Sequence, residues 1–226
     1  VSIITLNWNN TEPTIKFLES TKILRYRNFE ILVCDMNSDI DPTEEIRKRK
    51  FPNTRLLRSD KNLGWAAGNN WGIRQAKGDY FFIVNNDTEV TPDLINLLLE
   101  PFFDQQYSGD NRIGITSPKI KFFYNPNIIQ YAGFTPVNPI TGRNAAIGNK
   151  VEDKGQFDKN YFTWSAHGCA MMVKKEVMQE VGMFPEKFFM YYEELDFSTR
   201  VIRSGYKILF TGKAEIYHKV SMSIGK

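Results

Sequence analysis

Hydrophobic residues in this chain fall in short unbroken runs separated by polar turns. Tyr80-Phe81-Phe82-Ile83-Val84 is five apolar residues with no polar alternation, which predicts a strand buried on both faces, as in the middle of a parallel sheet. Residues 1–6 and 29–34 predict two more buried strands, and Thr54–Arg58 another. Between them, residues 12–25 set Ile15, Leu18 and Leu24 close to one helical face, with Pro13 in the first turn and Asn10 or Thr11 as cap. A charged helix opens at Asp41-Pro42 and runs to Lys50. This β-α-β-α-β order predicts a parallel sheet with right-handed crossovers. A helix over 65–77 closes at Gly78, read as its C′ glycine, and Thr91-Pro92 opens a helix over 92–104.

From residue 111 the texture changes. Short strands are expected at 113–117, 161–166 and 169–173, around a loop rich in Gly, Pro and Asn over 125–160. A loop of that length reads as a lid or binding loop. A helix over 174–181 stops at Gly182, and an aromatic run at 188–192 leads into the acidic helix start Glu193-Glu194. That helix ends near Ser204-Gly205, and strands at 206–210 and 214–217 lead to His218.

Composition narrows the class. The chain has 226 residues, 42% hydrophobic and 24% charged, enough for one sizeable globular α/β domain. A net charge of +3 does not support nucleic-acid binding. Basic clusters at 22–27, 47–50 and 119–121 read as solvated helix faces, with contact to an anionic membrane surface as the alternative. No apolar run approaches the roughly 18 residues of a membrane span. Cys34 and Cys169 form no disulfide or zinc pattern, so a reducing, cytoplasmic setting is the default. The aromatic share of 14% fits a surface for planar or sugar rings, or simply a core.

Candidate chemistry gathers where strands end. Asn7, Asp35, Asn85-Asn86-Asp87 and His218 each stand at the end of a predicted strand, the edge where open α/β sheets bind ligands. A carboxylate there suits a hard divalent cation, which in turn suits a diphosphate. Each residue also has a plainer reading: Asp35 and Asp87 as turn residues, Glu193-Glu194 as a solvated first turn, Asp196 as the i,i+4 partner of Arg200. Lys61 to Gly72 (KNLGWAAGNNWG) lets backbone approach a ligand but matches neither a Walker A nor a dinucleotide fingerprint.

The ordered set of motifs resembles the inverting family 2 glycosyltransferases, in particular the rhamnosyltransferase and galactofuranosyltransferase-like branch. The residues that carry it are 1–9 (VSIITLNWN), 31–38 (ILVCDMNS), 61–72, 78–92 (GDYFFIVNNDTEVTP), 168–182, 188–200 (FFMYYEELDFSTR), 205–207 (GYK) and 214–218 (AEIYH). The resemblance implies a GT-A (Rossmann-like) α/β fold, with a mostly parallel central sheet flanked by helices and a smaller mixed acceptor-side region. It implies one domain over 1–226, with a nucleotide-sugar half (1–110) and an acceptor and catalytic half (111–226), shortened at its C-terminus.

Roles follow from the same resemblance. Asn85-Asn86-Asp87 looks like the Asp-x-Asp metal motif, with an amide in the first acidic place. Asp87 and His218 would then hold Mn²⁺ or Mg²⁺. Thr5, Asn7 and Asn9 would line the nucleotide pocket, and Asn62, Gly68, Asn70, Asn85 and Asn86 would border the donor. Asp35 would accept from the N3–H of a uracil or thymine, so the expected donor is a UDP- or dTDP-sugar. Glu194 would be the catalytic base, where relatives carry Asp, with Glu193 and Asp196 beside it. Apart from the resemblance, Trp164, His167 and residues 188–192 read equally as core or as aromatic platforms for an acceptor, which the resemblance implies to be a saccharide or lipid-linked saccharide. Cell-surface polysaccharide synthesis in the cytoplasm, with peripheral contact at the inner membrane face, completes the expectation. The competing readings are a non-catalytic nucleotide-sugar or glycan-binding domain, and a nucleotidyltransferase. Asn7-Trp8-Asn9-Asn10 lacks the glycine and lysine a triphosphate loop would want.

Overall fold

The computed structural model describes residues 1–220; the last six positions of the expected acceptor half lie outside them. In chain order the first half gives β1 (Ser2–Asn7), α1 (Thr11–Thr21), β2 (Glu30–Asp35), α2 (Thr43–Lys48), β3 (Thr54–Arg58), α3 (Gly64–Gln75), β4 (Tyr80–Val84), β5 (Thr88–Val90) and α4 (Leu94–Leu99). The second half gives β6 (Ile113–Phe122), β7 (Asn125–Tyr131), β8 (Val151–Glu152), β9 (Tyr161–Thr163), β10 (Ala170–Lys174), α5 (Lys175–Val181), α6 (Glu193–Arg203) and β11 (Lys207–His218). One sheet runs β3-β2-β1-β4-β10-β6-β11-β5, with β7, β8 and β9 added at its side.

The unbroken apolar runs are explained by two cores, one on each sheet face. Ile3, Val33, Phe82 and Val84 meet Phe17 and Leu18 of α1 and Leu94 and Leu98 of α4. Their neighbours Ile4, Leu32, Phe81 and Ile83 meet Ala66 and Ile73 of α3 and Phe197 and Val201 of α6. Successive residues of β4 therefore alternate between two equally apolar environments. The first four strands are parallel, as expected. Beyond β4 the sheet changes direction: β10 pairs with it antiparallel. A run buried on both faces reports burial, not the direction of its neighbour, so "middle of a parallel sheet" holds for one side of β4 only.

Several elements differ from the sequence reading. The 125–160 segment carries β7 and β8, which pair with each other, and β7 extends β6. The two expected C-terminal strands are one strand, β11, with a register shift between Thr211 and Glu215. Pro101 lacks an N–H, and the helix expected over 92–104 passes at Glu100 into a 3₁₀ turn over Glu100–Phe103. Lys119 and Lys121 lie on β6, not on a solvated helix. Lys119 is fully buried, its ammonium 2.6 Å from Asp158, 3.2 Å from Asp153 and 3.4 Å from Glu215.

Gly78 is not a left-handed cap, since α3 ends two residues earlier in extended backbone at Ala76. Its constraint is space: a Cβ there would sit 2.8 Å from the Ser2 nitrogen and 2.9 Å from the Val1 carbonyl carbon. Those are backbone atoms at the entry of β1. Gly78→Ala should therefore lower unfolding free energy by about 1–3 kcal/mol, the range for overpacking, read as a reduced urea midpoint at unchanged m. A midpoint equal to wild type would show that β1 yields at no cost.

Candidate active site

Parallel strands β1, β2 and β4 end together, and their polar tips form one edge. A hydrogen-bond chain ties these tips into a frame. Asn86 Nδ2 donates to Thr14 Oγ1 (2.8 Å), Thr14 donates to Asn7 Oδ1 (2.7 Å), and Asn7 Nδ2 donates to Asp35 Oδ1 (2.8 Å). All four residues are buried. Asp35 Oδ1 also accepts from Ser38 Oγ, and Oδ2 accepts from Ser38 N–H (3.1 Å) and Arg58 Nη1 (2.8 Å). A carboxylate has about four acceptor positions, and four protein donors occupy these. A nucleobase contact at Asp35 therefore requires one donor to give way.

Asp87 meets His218 because β5, directly after Asp87, pairs antiparallel with the end of β11, Thr88 opposite His218. The Lys219 N–H donates to the Asp87 carbonyl (2.8 Å), and His218 Nε2 lies 3.2 Å from Asp87 Oδ1. Both side chains are buried. Burial opposes a charged imidazole, but Cys169 and Asp87 outweigh it and push the His218 pKa up to about 10.

A cavity of about 320 Å³ opens over this pair. Asn7, Asn62, Asn85, Asn86, Asp87, Glu193, Glu194 and His218 all line it. Thus the expected metal residues and the expected base face one space. Glu194 is brought there by α6, whose first turn lies against the His167–Cys169 corner; a Cβ on Gly168 would stand 3.7 Å from Glu194 Cγ. Glu193 Oε2 and Glu194 Oε2 are buried with no hydrogen-bond partner among the described residues. Burial raises the Glu194 pKa, and it pushes Glu193 up to about 7, with the Glu194 charge adding to it.

The remaining expected residues turn elsewhere. Asn70 donates to the Phe184 carbonyl (2.8 Å) and to Glu186 (3.0 Å), anchoring the chain after α5. Gly68 lets α3 close on β1 and β2; a Cβ would meet Met36 Sδ at 2.8 Å and Leu6 Cδ1 at 3.2 Å. Asp196 pairs with Arg200 (2.7 Å), which itself donates to the Val181 and Met183 carbonyls. Asn9 receives Asp39 N–H (2.8 Å) and gives its own N–H to Ser38 Oγ (2.8 Å), fastening the loop after β2. Thr5 is buried one pleat behind Asn7, outside the cavity lining. Of the aromatic candidates, His167, Phe189 and Tyr191 line the cavity, whereas Trp164 is half exposed outside it.

Sequence reasoning did not single out Trp65, whose Nε1 donates to Asn85 Oδ1 (3.3 Å) and whose N–H donates to the Phe189 carbonyl (2.8 Å). It holds the 188–192 segment across the cavity beside the strand tip. Gly64 permits that crossing: its φ is +74°, and a Cβ would stand 2.5 Å from the Phe189 oxygen. The glycine-flanked Trp65 was the available signal.

His167 Nδ1 accepts the Cys169 N–H (3.0 Å), so the ring carries its proton on Nε2. The ring stacks on Phe134 at 6.0 Å, and burial holds its pKa down to about 4, helped by His218. It is a neutral donor in the cavity wall.

Asp87 Oδ1 and His218 Nε2 have the spacing of two ligands on one cation. Ligands at right angles on bonds of about 2.1 Å stand about 3 Å apart, close to the 3.2 Å found. Among the described residues no cluster of three or more His, Cys, Asp or Glu could hold a metal. A cation here would complete its shell with oxygens from outside the protein, as a diphosphate provides.

Residues 2–182 match the family model described as Glycosyl transferase family 2. The chain is 24% identical over 226 residues to an N-acetylglucosaminyl-diphospho-decaprenol L-rhamnosyltransferase of Mycobacterium tuberculosis, covering 93% of this chain and 73% of that protein. It is 28% identical over 216 residues to the low-salt glycan biosynthesis hexosyltransferase Agl10 of Haloferax volcanii, covering 92% and 63%. Among solved structures it resembles GalNAc-T7 with UDP, GalNAc and Mn2+ (TM-score 0.78, 16% identity), covering 96% of this chain and 42% of that one. It also resembles the mannosyltransferase PcManGT from Pyrobaculum calidifontis in complex with GDP-Man and Mn2+ (TM-score 0.69, 18% identity), covering 98% and 57%. These likenesses establish the GT-A fold, and a family match over most of its length identifies the chain as a glycosyltransferase belonging to glycosyl transferase family 2.

Proposed function

We propose that the chain transfers a sugar, with inversion, from a UDP- or dTDP-sugar to a saccharide acceptor. The observation that carries this is the shared cavity: Asp87 and His218, 3.2 Å apart, face the same space as Glu194. Asp87 and His218 would hold Mn²⁺ or Mg²⁺; imidazole favours Mn²⁺. The cation's contribution is to neutralise charge on the departing nucleoside diphosphate. Every other part of the step falls to this chain's side chains.

Glu194 takes the proton of the acceptor hydroxyl as that oxygen bonds to the anomeric carbon from the face opposite the diphosphate. The electron pair of the old glycosidic bond leaves with the diphosphate. Its buried Oε2, unpartnered among the described residues, supports this reading, because a hydroxyl there would satisfy it. Glu193, partly protonated near neutral pH, is placed to hold a sugar hydroxyl. Asn62, Asn85 and Asn86 offer amide groups to ribose or phosphate, while Asn7, its amide taken up by Asp35, Ser38 and Thr14, holds the strand tips in place. The neutral His167 donor, Phe189 and Tyr191 form the acceptor wall.

Both nucleotides in the names of the solved neighbours, UDP and GDP-Man, sit in this fold, so donor choice rests on the Asp35 corner. The name of the mycobacterial relative supports a lipid-linked acceptor; a place in cell-surface polysaccharide assembly at the cytoplasmic membrane face is part of the proposal. No helix among the described residues is long and apolar enough to cross a membrane. Hydrolysis and transfer assays with a panel of UDP-, dTDP- and GDP-sugars and Mn²⁺ test it. Turnover confined to GDP-sugars would refute the assignment at Asp35.

The pH profile is a second check. A base works only when ionised, and burial raises the Glu194 pKa above the usual carboxylate range. The acid limb of kcat should therefore lie above the range of ordinary glutamates. It should persist in Glu193→Gln, which removes the neighbouring carboxyl that titrates at about 7. A profile flat down to ordinary carboxylate pH would exclude Glu194 as base.

A further inference from the structure

The 125–160 segment has a use that its sequence gave no sign of. Gln130 lies on β7, between Ile129 and Tyr131, both fully buried in the core. The β6–β7 register shifts here, Ile120 facing Tyr131 and Lys121 facing Ile129, so Gln130 is the extra residue of a bulge, which re-aims its side chain. There its Oε1 lies 2.8 Å from Nδ1 of His218, whose Nε2 lies 3.2 Å from Asp87 Oδ1. A cation must displace one proton from this ring, and in the neutral imidazole an oxygen acceptor facing Nδ1 keeps the remaining proton on that nitrogen, which leaves Nε2 as the ring nitrogen able to ligate. The contact is set by the sheet: β7 pairs with β6, and Phe122 of β6 lies opposite His218.

We propose that Gln130 is a positioning residue for the divalent cation, fixing the His218 ring and its tautomer so that Nε2 faces the ion beside Asp87. The inference rests on the proposed assignment of Asp87 and His218 as cation ligands. It adds a third contributor from a different element. Partners of this kind, hydrogen-bonded behind a ligating histidine, typically change metal affinity by roughly 10–100-fold when removed. Without Gln130 the ring is free to turn or to place its proton on Nε2, and either loses the ligand.

The test is titration of the protein with Mn²⁺ alone, free Mn²⁺ being read by electron paramagnetic resonance, with melting in EDTA as the fold control. Gln130→Leu should weaken Mn²⁺ binding roughly ten- to a hundredfold while melting stays near wild type. Gln130→Glu, which still offers an oxygen to Nδ1, should keep most of the affinity. In a His218→Ala background, Gln130→Leu should add no further loss, because its only route to the ion is gone. Wild-type Mn²⁺ affinity in Gln130→Leu, or the same loss with His218 absent, overturns the proposal, as does failure of the wild type to bind Mn²⁺. Mn²⁺ affinity that depends on Gln130 in a protein that transfers no sugar would refute the functional reading and leave this inference standing.

Discussion

Asp87→Ala is expected to reduce sugar transfer by roughly a thousandfold or more. Charge stabilisation by a bound cation amounts to several kcal/mol, and each 1.36 kcal/mol is a factor of about ten. Asp87 is the one carboxylate of the Asn85-Asn86-Asp87 tip, so no neighbouring acid in that motif can substitute. The variant should still fold, because its backbone ties survive: the Asp87 carbonyl keeps the Lys219 N–H, and Thr88 keeps its place opposite His218. The change should also be visible at His218. Its pKa of about 10 owes part of its height to Asp87, so removing that charge lets the buried imidazole lose its proton at lower pH. Nucleotide affinity should cease to respond to Mn²⁺ in this variant. Calorimetric titration of UDP with and without Mn²⁺ reads that loss directly. A metal-enhanced affinity equal to wild type would place the cation elsewhere.

Glu194→Gln should lower kcat roughly 10²–10⁴-fold, the range for a general base, while leaving metal-enhanced UDP binding intact. The contrast with Asp87→Ala separates loss of the base from loss of the cation. Stability should move the opposite way to activity. Burial raises the Glu194 pKa, so the ionised side chain costs the folded state free energy once pH exceeds the unfolded value. An uncharged amide removes that cost. Glu194→Gln should melt at or above the wild-type temperature at pH 7–8, with the difference closing toward acid pH, where the wild-type carboxyl is protonated. Wild-type turnover in this variant would move the base to another residue.

How much of this was legible in the sequence differs between the halves of the chain. The first five elements follow from runs of apolar residues and their punctuation, because each β-α unit is local and its burial two-sided. The second half resisted for physical reasons. Strand β7 opens on Asn-Pro-Asn and pairs along β6, and two-residue β8 pairs in turn with β7, so tertiary pairing rather than local propensity sets both. At Thr211-Gly212-Lys213 the apolar run stops but the strand does not, since a register shift absorbs the extra residues. Lys119 reads as surface and is buried, because Asp153, Asp158 and Glu215 arrive from distant positions to pair with it.

The site shows the same division. Asp87, His218 and Glu194 stand at element ends that the sequence marks, and they converge on one cavity. Asp196 takes the plainer of its two readings, the i,i+4 pair with Arg200. Asn70 sits in an equally suggestive motif, yet its partners are Phe184 and Glu186, contacts that no local pattern announces. Gln130 carries no local signal at all; only the pairing of β7 with β6 brings it to His218.

The most direct measurement is an anomalous-difference map from crystals of the protein grown with UDP and Mn²⁺. The account predicts one Mn²⁺ peak at about 2.0–2.3 Å from both the Asp87 carboxylate and His218 Nε2, touching the diphosphate, with Glu194 facing the same cavity. A Mn²⁺ peak bound by neither residue, or a diphosphate lying outside that cavity, would contradict it.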